Sequence, residues 1–142
     1  MPGNNDPIFS RVGDVQWINS ITAAHNTINL TAGTSYLVFT ADATNGGFVA
    51  AIRFRAEPAA STVATVVRVW INNGSTLATA ANSVLFGEAT FTATTASAVA
   101  ATNEISIPIN LALPPGYRIY ITVGTAPGGS GAFSAIAVGG KY

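Results

Sequence analysis

The chain has 142 residues, no cysteine and a formal net charge of zero, and only 8% of its residues are charged while 49% are hydrophobic. A neutral chain lacks the basic face that phosphate contacts need, which excludes nucleic acid as a partner, and a chain without cysteine has neither a thiol nucleophile nor a cysteine-ligated zinc site. Soluble domains ordinarily carry about 25% charged residues. Because a charge-poor surface limits the solubility of a free monomer, we expect other subunits to cover much of it.

The chain opens with a polar segment that contains proline and glycine. We predict that residues 1–13 form an extended N-terminal arm and that residues 14–142 form a single domain. The segment lacks the basic and apolar regions of a signal peptide, and no apolar run reaches the ~20 residues that cross a bilayer. We therefore expect synthesis in the cytoplasm and no membrane partner. The arm either reaches a neighbouring subunit or is a frayed terminus.

Alternating apolar residues, interrupted by turn residues at short intervals, predict strands along the whole chain. In chain order the predicted strands are residues 15–22, 25–30, 35–42, 48–57, 62–72, 76–86, 88–94, 104–111, 117–123 and 132–138. Eight to ten strands are more than one flat sheet holds comfortably. The fold class is therefore all-β, with two packed antiparallel sheets.

Two strands show the expected faces most clearly. In residues 48–57, Phe48, Ala50, Ile52 and Phe54 share a predicted core face. In residues 104–111, alternate isoleucines point inward, and a central proline that cannot donate to a ladder predicts an edge strand or a bulge.

Turn signals separate these strands. Asn45-Gly46 and Asn73-Gly74 predict two-residue hairpin turns, because type I′ turns need positive φ. The segment Leu113-Pro114-Pro115-Gly116 predicts a type II turn with Gly116 in the left-handed region. Residues 93–103 form a long Ala/Thr/Ser segment, which we expect to be a surface or contact loop.

Catalytic chemistry has few candidates. His25 is the only histidine, and the six acids are scattered singly at Asp6, Asp14, Asp42, Glu57, Glu88 and Glu104. A catalytic site needs a nucleophile, a base and a group that orients the base. We therefore predict that the protein is not an enzyme, that it holds no metal or cofactor, and that His25 is a surface or turn residue.

The arginines and tryptophans have two interpretations each. Arg53, Arg55 and Arg68 either pair with Glu57, Glu88 or Glu104 inside the domain, or Arg53 and Arg55 form a patch that faces a partner, since arginine is enriched in binding hot spots. Trp70 is predicted to be semi-buried core. Trp17 is either core or an interface anchor.

The second half of the chain contains a set of turn and strand motifs: Arg68-Val69-Trp70-Ile71-Asn72-Asn73-Gly74, Glu88 with the threonine-rich residues 90–95, residues 111–119, and the terminal Gly139-Gly140-Lys141-Tyr142. These motifs resemble small virion proteins of tailed bacteriophages, and the likeness covers most of residues 35–142. The resemblance implies a two-sheet antiparallel sandwich of jelly-roll type and a place in the virion. It carries no catalytic residues.

The leading hypothesis is a capsid decoration (cement) protein, a homotrimer that binds the major capsid protein on the capsid surface. The candidate partner contacts are Asn4, Asn5, Asp6, Phe9, Arg11, Trp17, Arg53, Arg55, Lys141 and Tyr142. The alternative is a tail- or fibre-associated receptor- or carbohydrate-binding module. It needs an aromatic-lined groove, for which Trp17, Tyr36 and Tyr120 are the candidates.

Overall fold

The chain is built almost entirely from antiparallel strands. The structure is a computed structural model that describes residues 11–58 and 60–142. Within them lie β1 (Val12–Ile21), β2 (Tyr36–Thr40), β3 (Gly47–Ala56), β4 (Thr65–Asn72), β5 (Ser83–Phe91), β6 (Glu104–Leu113), β7 (Arg118–Val123) and β8 (Phe133–Lys141), and one 3-10 turn at Ala80–Asn82. In this part of the chain, no helix has the length and apolar character needed to cross a membrane.

The strands form two sheets of four. Sheet I has the order β1-β8-β3-β6 and sheet II the order β2-β7-β4-β5. The first strand pairs with the last, the second with the seventh, the third with the sixth and the fourth with the fifth, all antiparallel. This nested pairing is that of a long ribbon wrapped into two sheets, which is a jelly roll. The predicted jelly-roll sandwich is confirmed.

Three phenylalanine rings join the two sheets at the centre of the core. Phe54 on β3 and Phe133 on β8 come from sheet I, and Phe91 on β5 comes from sheet II. Their ring centroids lie 5.1, 5.1 and 5.5 Å apart, and all three side chains are fully buried. Burying each ring contributes about 1.5–3 kcal/mol.

A bulge in β3 makes half of the predicted core face wrong. Ile52 and Phe54 are buried as expected, but Val49 is buried in place of Phe48 and Ala50. The pairing of β3 shifts register between Val49 and Ala51, and one extra residue moves all earlier side chains to the opposite face.

Pro108 and Gly116 occupy the positions that the sequence predicts for them. β6 is an edge strand, its register shifts next to Pro108, and Asn110 has a φ of 47°. Gly116 has a φ of 76°, and the N–H of Tyr117 donates to the carbonyl oxygen of Pro114 at 3.2 Å. Both local predictions are confirmed.

Other boundaries differ from the prediction. Residues 25–30 form a loop, and residues 76–94 contain one strand, β5, where two were expected. Asn73-Gly74 begins a longer connection between β4 and β5, and Asn45-Gly46 joins strands of different sheets, so neither forms the expected two-residue hairpin. β1 already begins at Val12, inside the segment predicted as an arm.

Candidate interaction surfaces

The outer face of sheet I carries an exposed apolar patch that crosses all four strands. Residues paired directly across antiparallel strands share one face. Two adjacent rows of pairs run across the sheet, Val15–Val138–Ala51–Pro108 and Trp17–Ile136–Arg53–Ser106. We call the apolar members of these rows the Trp17 face: Val15, Trp17, Ala51, Pro108, Ile136 and Val138.

Trp17 is the most prominent residue of this face. Its neighbours Gln16 and Ile18 point inward, and Ile18 packs against the core, so the alternation of β1 directs Trp17 outward. The side chain is 67% exposed, and Val15 beside it is 51% exposed. The core interpretation of Trp17 is therefore wrong. An exposed tryptophan within an apolar patch is typical of an interaction surface.

Charged residues border the Trp17 face on one side. The Nη2 and Nε atoms of Arg53 donate to Oε1 of Glu104 at 2.6 and 2.9 Å. The guanidinium of Arg55 donates from Nη2 to the hydroxyl of Thr102 at 2.9 Å. The predicted pairing with an acid inside the domain is confirmed for Arg53, and it also holds for Arg68, whose Nε lies 3.2 Å from Oε2 of Glu88. Exposed pairs of this kind contribute only about 0.2–1 kcal/mol.

Side chains close the gap between β1 and β2, which are edge strands of different sheets. Nε2 of Gln16 donates to the carbonyl oxygen of Thr40, and Oε1 accepts the N–H of Thr40, both at 2.9 Å. The hydroxyl of Tyr36 accepts the N–H groups of Thr22 at 3.1 Å and Ala23 at 2.9 Å. These bonds satisfy backbone groups that none of the strands β1 to β8 reaches.

The opposite edge of sheet II is open. In the described part of the chain β5 pairs with β4 alone. Three successive apolar side chains on β5, namely Val84, Leu85 and Phe86, are 61%, 42% and 40% exposed. An exposed apolar edge strand is a template for pairing with another chain.

The loop of residues 22–35 lies over the outer face of sheet II and is organised by His25. His25 lies in a loop, but of the two predictions for it, a surface or a turn residue, the surface one is wrong, because the side chain is 3% exposed. Its Nδ1 lies 3.1 Å from the carbonyl oxygen of Thr34, and its Nε2 lies 3.0 Å from that of Asn29 and against the hydroxyl of Thr27. Gly33, with a φ of 84°, lets the backbone pass against the ring. The histidine therefore holds the loop together.

This loop builds a second, smaller apolar cluster. Leu30 packs with Trp70 and Tyr120, and Nε1 of Trp70 donates to the hydroxyl of Thr122 at 3.0 Å. The prediction of Trp70 as core is confirmed. Sheet II is therefore covered on both faces at its centre, unlike sheet I.

A shallow groove of about 370 Å³ separates the loop from the open edge, lined by Asn26, Thr27, Ile28, Arg68, Trp70 and Leu85. Its polar groups are largely engaged: Arg68 bonds Glu88 and lies 3.3 Å from Oδ1 of Asn26. Tyr120 is buried, the Tyr36 hydroxyl is occupied, and Trp17 lies on the other sheet. The structure does not bring the three carbohydrate-binding candidates together in one groove.

No protein-family model matches the chain, and no curated protein matches it. Solved structures that match the chain include two with low TM-scores. One is described as "Cyanophage Pam1 capsid asymmetric unit", with 15% identity, a TM-score of 0.40 and 98% of each chain covered. The other is described as "Structure of infectious bursal disease virus Gx strain", with 11% identity and a TM-score of 0.35. The match includes 92% of this chain and 32% of the other chain. At such TM-scores neither likeness carries an argument, and the jelly-roll assignment rests on the strand order.

Six of the ten predicted contact residues fall on or directly beside sheet I. Trp17, Arg53 and Arg55 point to its outer face. Arg11, Lys141 and Tyr142 lie together at one end, where the N–H of Arg11 donates to the carbonyl oxygen of Lys141 at 2.8 Å. The other four, Asn4, Asn5, Asp6 and Phe9, lie outside the described residues. The apolar partners of Trp17 and the open edge of β5 were missed.

The titratable groups show structural roles. Among residues 11–58 and 60–142, no three histidine, cysteine or acidic side chains gather closely enough to hold a metal ion. The carboxylate of Asp42 accepts the N–H groups of Asn45 and Thr44, each at 2.9 Å, and these bonds lower its pKa from the usual 3.8. Asp42 thereby fixes the turn between β2 and β3.

Proposed function

We propose that this chain is a structural protein of a virion, a capsid decoration (cement) protein that binds the major capsid protein on the shell surface and stabilises the shell. The observation that supports this most strongly is the Trp17 face, an uncovered apolar surface on a neutral body with few charges. In this proposal the function resides in interface area, and no chemical step is involved.

The size of the Trp17 face indicates how such a protein would act. Four strands spaced ~4.8 Å apart, over the span of the two rows, which is about four residues of ~3.4 Å each, present about 260 Å². Both partners together then bury about 520 Å², which is below the ~1,200 Å² of stable specific interfaces. A single contact is therefore weak, and tight binding requires several linked copies on one shell. The homotrimer implied by the sequence resemblance stays a prediction.

The direct test is binding to shells assembled from the major capsid protein of the same virus without this chain. Wild-type protein should cosediment with such shells and saturate at a high copy number. Trp17→Ser should bind about thirtyfold more weakly, because a tryptophan hot spot contributes about 2 kcal/mol. The folded state should be unaffected, since the side chain is 67% exposed.

Ile28→Ser is the matched control. Ile28 lies in the loop of residues 22–35 over the outer face of sheet II, on the other side of the sandwich from the Trp17 face, and is 93% exposed. This variant should bind like the wild type. Equal binding by Trp17→Ser and wild type would contradict the proposed surface.

A second measurement separates the cement function from adhesion. Saturated shells should release their contents at a higher temperature than bare shells, because bound copies brace neighbouring capsid subunits. An adhesion module predicts instead few copies per virion and saturable binding to host cells or glycans, with no effect on shell stability.

A further inference from the structure

Four strands form the edges of the two sheets, and three of these edges are blocked by identifiable features. β1 and β2 are joined to each other by the side chain of Gln16, which bonds both backbone groups of Thr40. β6 carries Pro108, which has no N–H, and a register shift beside Asn110 in the left-handed region. Proline is one of the features by which edge strands avoid pairing with other chains.

β5 is the exception. It is nine residues long and contains neither proline nor lysine. Val84, Leu85 and Phe86 are exposed in succession. The register against β4 shifts so that Leu85 pairs with Trp70 and Gly87 with Val69, which gives β5 a bulge at Phe86. Unlike β6, however, β5 keeps a backbone N–H at every residue. This edge is therefore open to strand addition, in which backbone hydrogen bonds supply affinity and apolar side chains add to it.

We infer that two copies of this chain pair through β5, antiparallel across a two-fold axis at Leu85, and that their second sheets join into one continuous eight-stranded sheet. In this arrangement Leu85 lies opposite Leu85 of the partner subunit, and the apolar segments 84–86 cover each other. A two-fold interface requires one surface that complements itself, and a short uncharged apolar segment does so.

The charges permit this pairing. Glu88 is the only charged residue of β5, and its carboxylate is already paired with Arg68 at 3.2 Å. With the axis at Leu85, the two Glu88 residues lie six positions apart along the pair, or about 20 Å at ~3.4 Å per residue. This separation exceeds the Debye length of ~8 Å at physiological ionic strength, so the carboxylates do not repel each other appreciably.

The area indicates a weak dimer. With the axis at Leu85, residues 83–87 of the two β5 strands face each other over about 17 Å, and two sheets ~10 Å apart with their outer side chains present an edge about 20 Å deep. The dimer then buries about 340 Å² per copy, or about 700 Å² in total, in the range of weak, transient interfaces. We expect a dissociation constant well above micromolar.

The mass of the purified protein tests the pairing. Light scattering after gel filtration at increasing concentration should give a particle of twice 14.4 kDa. Leu85→Lys should remain a monomer over the same range, since lysine on an edge strand opposes pairing. Val99→Lys introduces the same charge on a loop and should dimerise like the wild type. Far-UV circular dichroism confirms that each variant is folded.

Cross-linking tests the register. The chain has no cysteine, so Leu85→Cys introduces a single thiol. Residues directly opposite each other in an antiparallel pair have Cβ atoms about 4.5–5.5 Å apart, close to the spacing of a disulfide. Mild oxidation should therefore give a covalent dimer, whereas Val99→Cys should not.

The two-fold dimer is an alternative to the homotrimer that the sequence resemblance implies, so a wild-type trimer would overturn the inference. A wild-type monomer at all concentrations, or a dimer that persists in Leu85→Lys, would also overturn it. A monomer that instead binds an extended segment of another protein at β5 would overturn it as well. The inference is independent of the proposed function, because shell binding is measured with Trp17→Ser, and that variant should dimerise normally.

Discussion

Replacing Gln16 with alanine should destabilise the fold, although the side chain is only half-buried. The side-chain amide of Gln16 substitutes for a strand at the gap between the sheets, since it donates to the carbonyl oxygen of Thr40 and accepts the N–H of the same residue. Its Nε2 also lies 3.1 Å from Oδ2 of Asp14. No strand takes over these groups of Thr40 when the amide is removed.

The magnitude follows from the two backbone bonds. A hydrogen bond contributes about 0.5–1.5 kcal/mol net, and a backbone group left without a partner costs at least as much. Because Thr40 is half-buried, water restores part of the loss. We expect the free energy of unfolding to fall by about 2 kcal/mol, and the melting temperature by about 6 °C for a domain of this size.

Urea unfolding followed by far-UV circular dichroism measures this difference. The slope against urea should not change, because the surface exposed on unfolding is the same. Gln16→Glu is the isosteric control. At pH 7 its carboxylate has no donor for the carbonyl oxygen of Thr40 and lies beside Asp14, so this variant should be at least as unstable as Gln16→Ala. Its stability should recover in part at acid pH, where the new carboxyl group is protonated. Asn19→Ala, an exposed change on the same strand, should stay within about 0.5 kcal/mol of wild type. The reasoning is refuted if Gln16→Ala is as stable as Asn19→Ala.

Three further predictions concern single residues. Gly139→Ala should prevent folding, because a Cβ there collides with the carbonyl oxygen of Phe48. Gly13→Ala on the neighbouring strand is the control and should fold, because its Cβ meets no atom within 4 Å. Soluble yield and circular dichroism distinguish the two outcomes. Gly33→Ala should lower the free energy of unfolding in urea by about 1–3 kcal/mol, because the φ of 84° strains an alanine and the new Cβ lies 2.8 Å from Nδ1 of His25. Amide hydrogen exchange should become faster in residues 22–35 and stay unchanged in β8. Asp42 has a lowered folded pKa, caused first by the N–H of Asn45 and then by that of Thr44, so its carboxylate stabilises the fold above pH 3.8 and the contribution is lost as pH falls through the lower folded value. Stability measured in the acid range should therefore fall more steeply with pH in the wild type than in Asp42→Asn.

Alternation of apolar residues matches the burial of Ile119, Ile121 and Val123 in β7, which pairs with β4 without a register shift. In β6, Ile107 and Ile109 are buried as expected, although the register against β3 shifts beside them. In β3 the same reasoning was wrong at Phe48 and Ala50, because the bulge depends on how β3 pairs with two other strands. Alternation carries no information about such long-range pairing.

Polar residues were misjudged when tertiary contacts determined their position. His25 is buried because the carbonyl oxygens of Asn29 and Thr34 surround its ring. The positive φ of Gly33 permits this, and a glycine a few residues after a lone histidine was the available signal. In β1 the polar Gln16 faces inward and Trp17 outward, which reverses the simple hydrophobic rule, because Gln16 closes the gap between sheets.

The candidate surfaces show the same limit. The sequence singled out Trp17, Arg53 and Arg55, but their common face follows only from the strand order β1-β8-β3-β6. The open edge of β5 was out of reach, because the sequence pattern divided this region into two strands and no local signal shows which strand is an edge.

The two candidate surfaces lie on different sheets, and this separation makes their contributions distinguishable. If a shell holds this protein through many weak contacts, pairing through β5 should raise the apparent affinity without adding any contact to the shell, since linked sites gain about 10²–10⁴ in avidity. Leu85→Lys should therefore bind assembled shells at least tenfold more weakly than wild type, and bind isolated major capsid protein equally well. Trp17→Ser should weaken both. If Leu85→Lys weakened binding to the isolated capsid protein as well, then β5 would contact the shell directly, and the separate roles of face and edge would have to be abandoned.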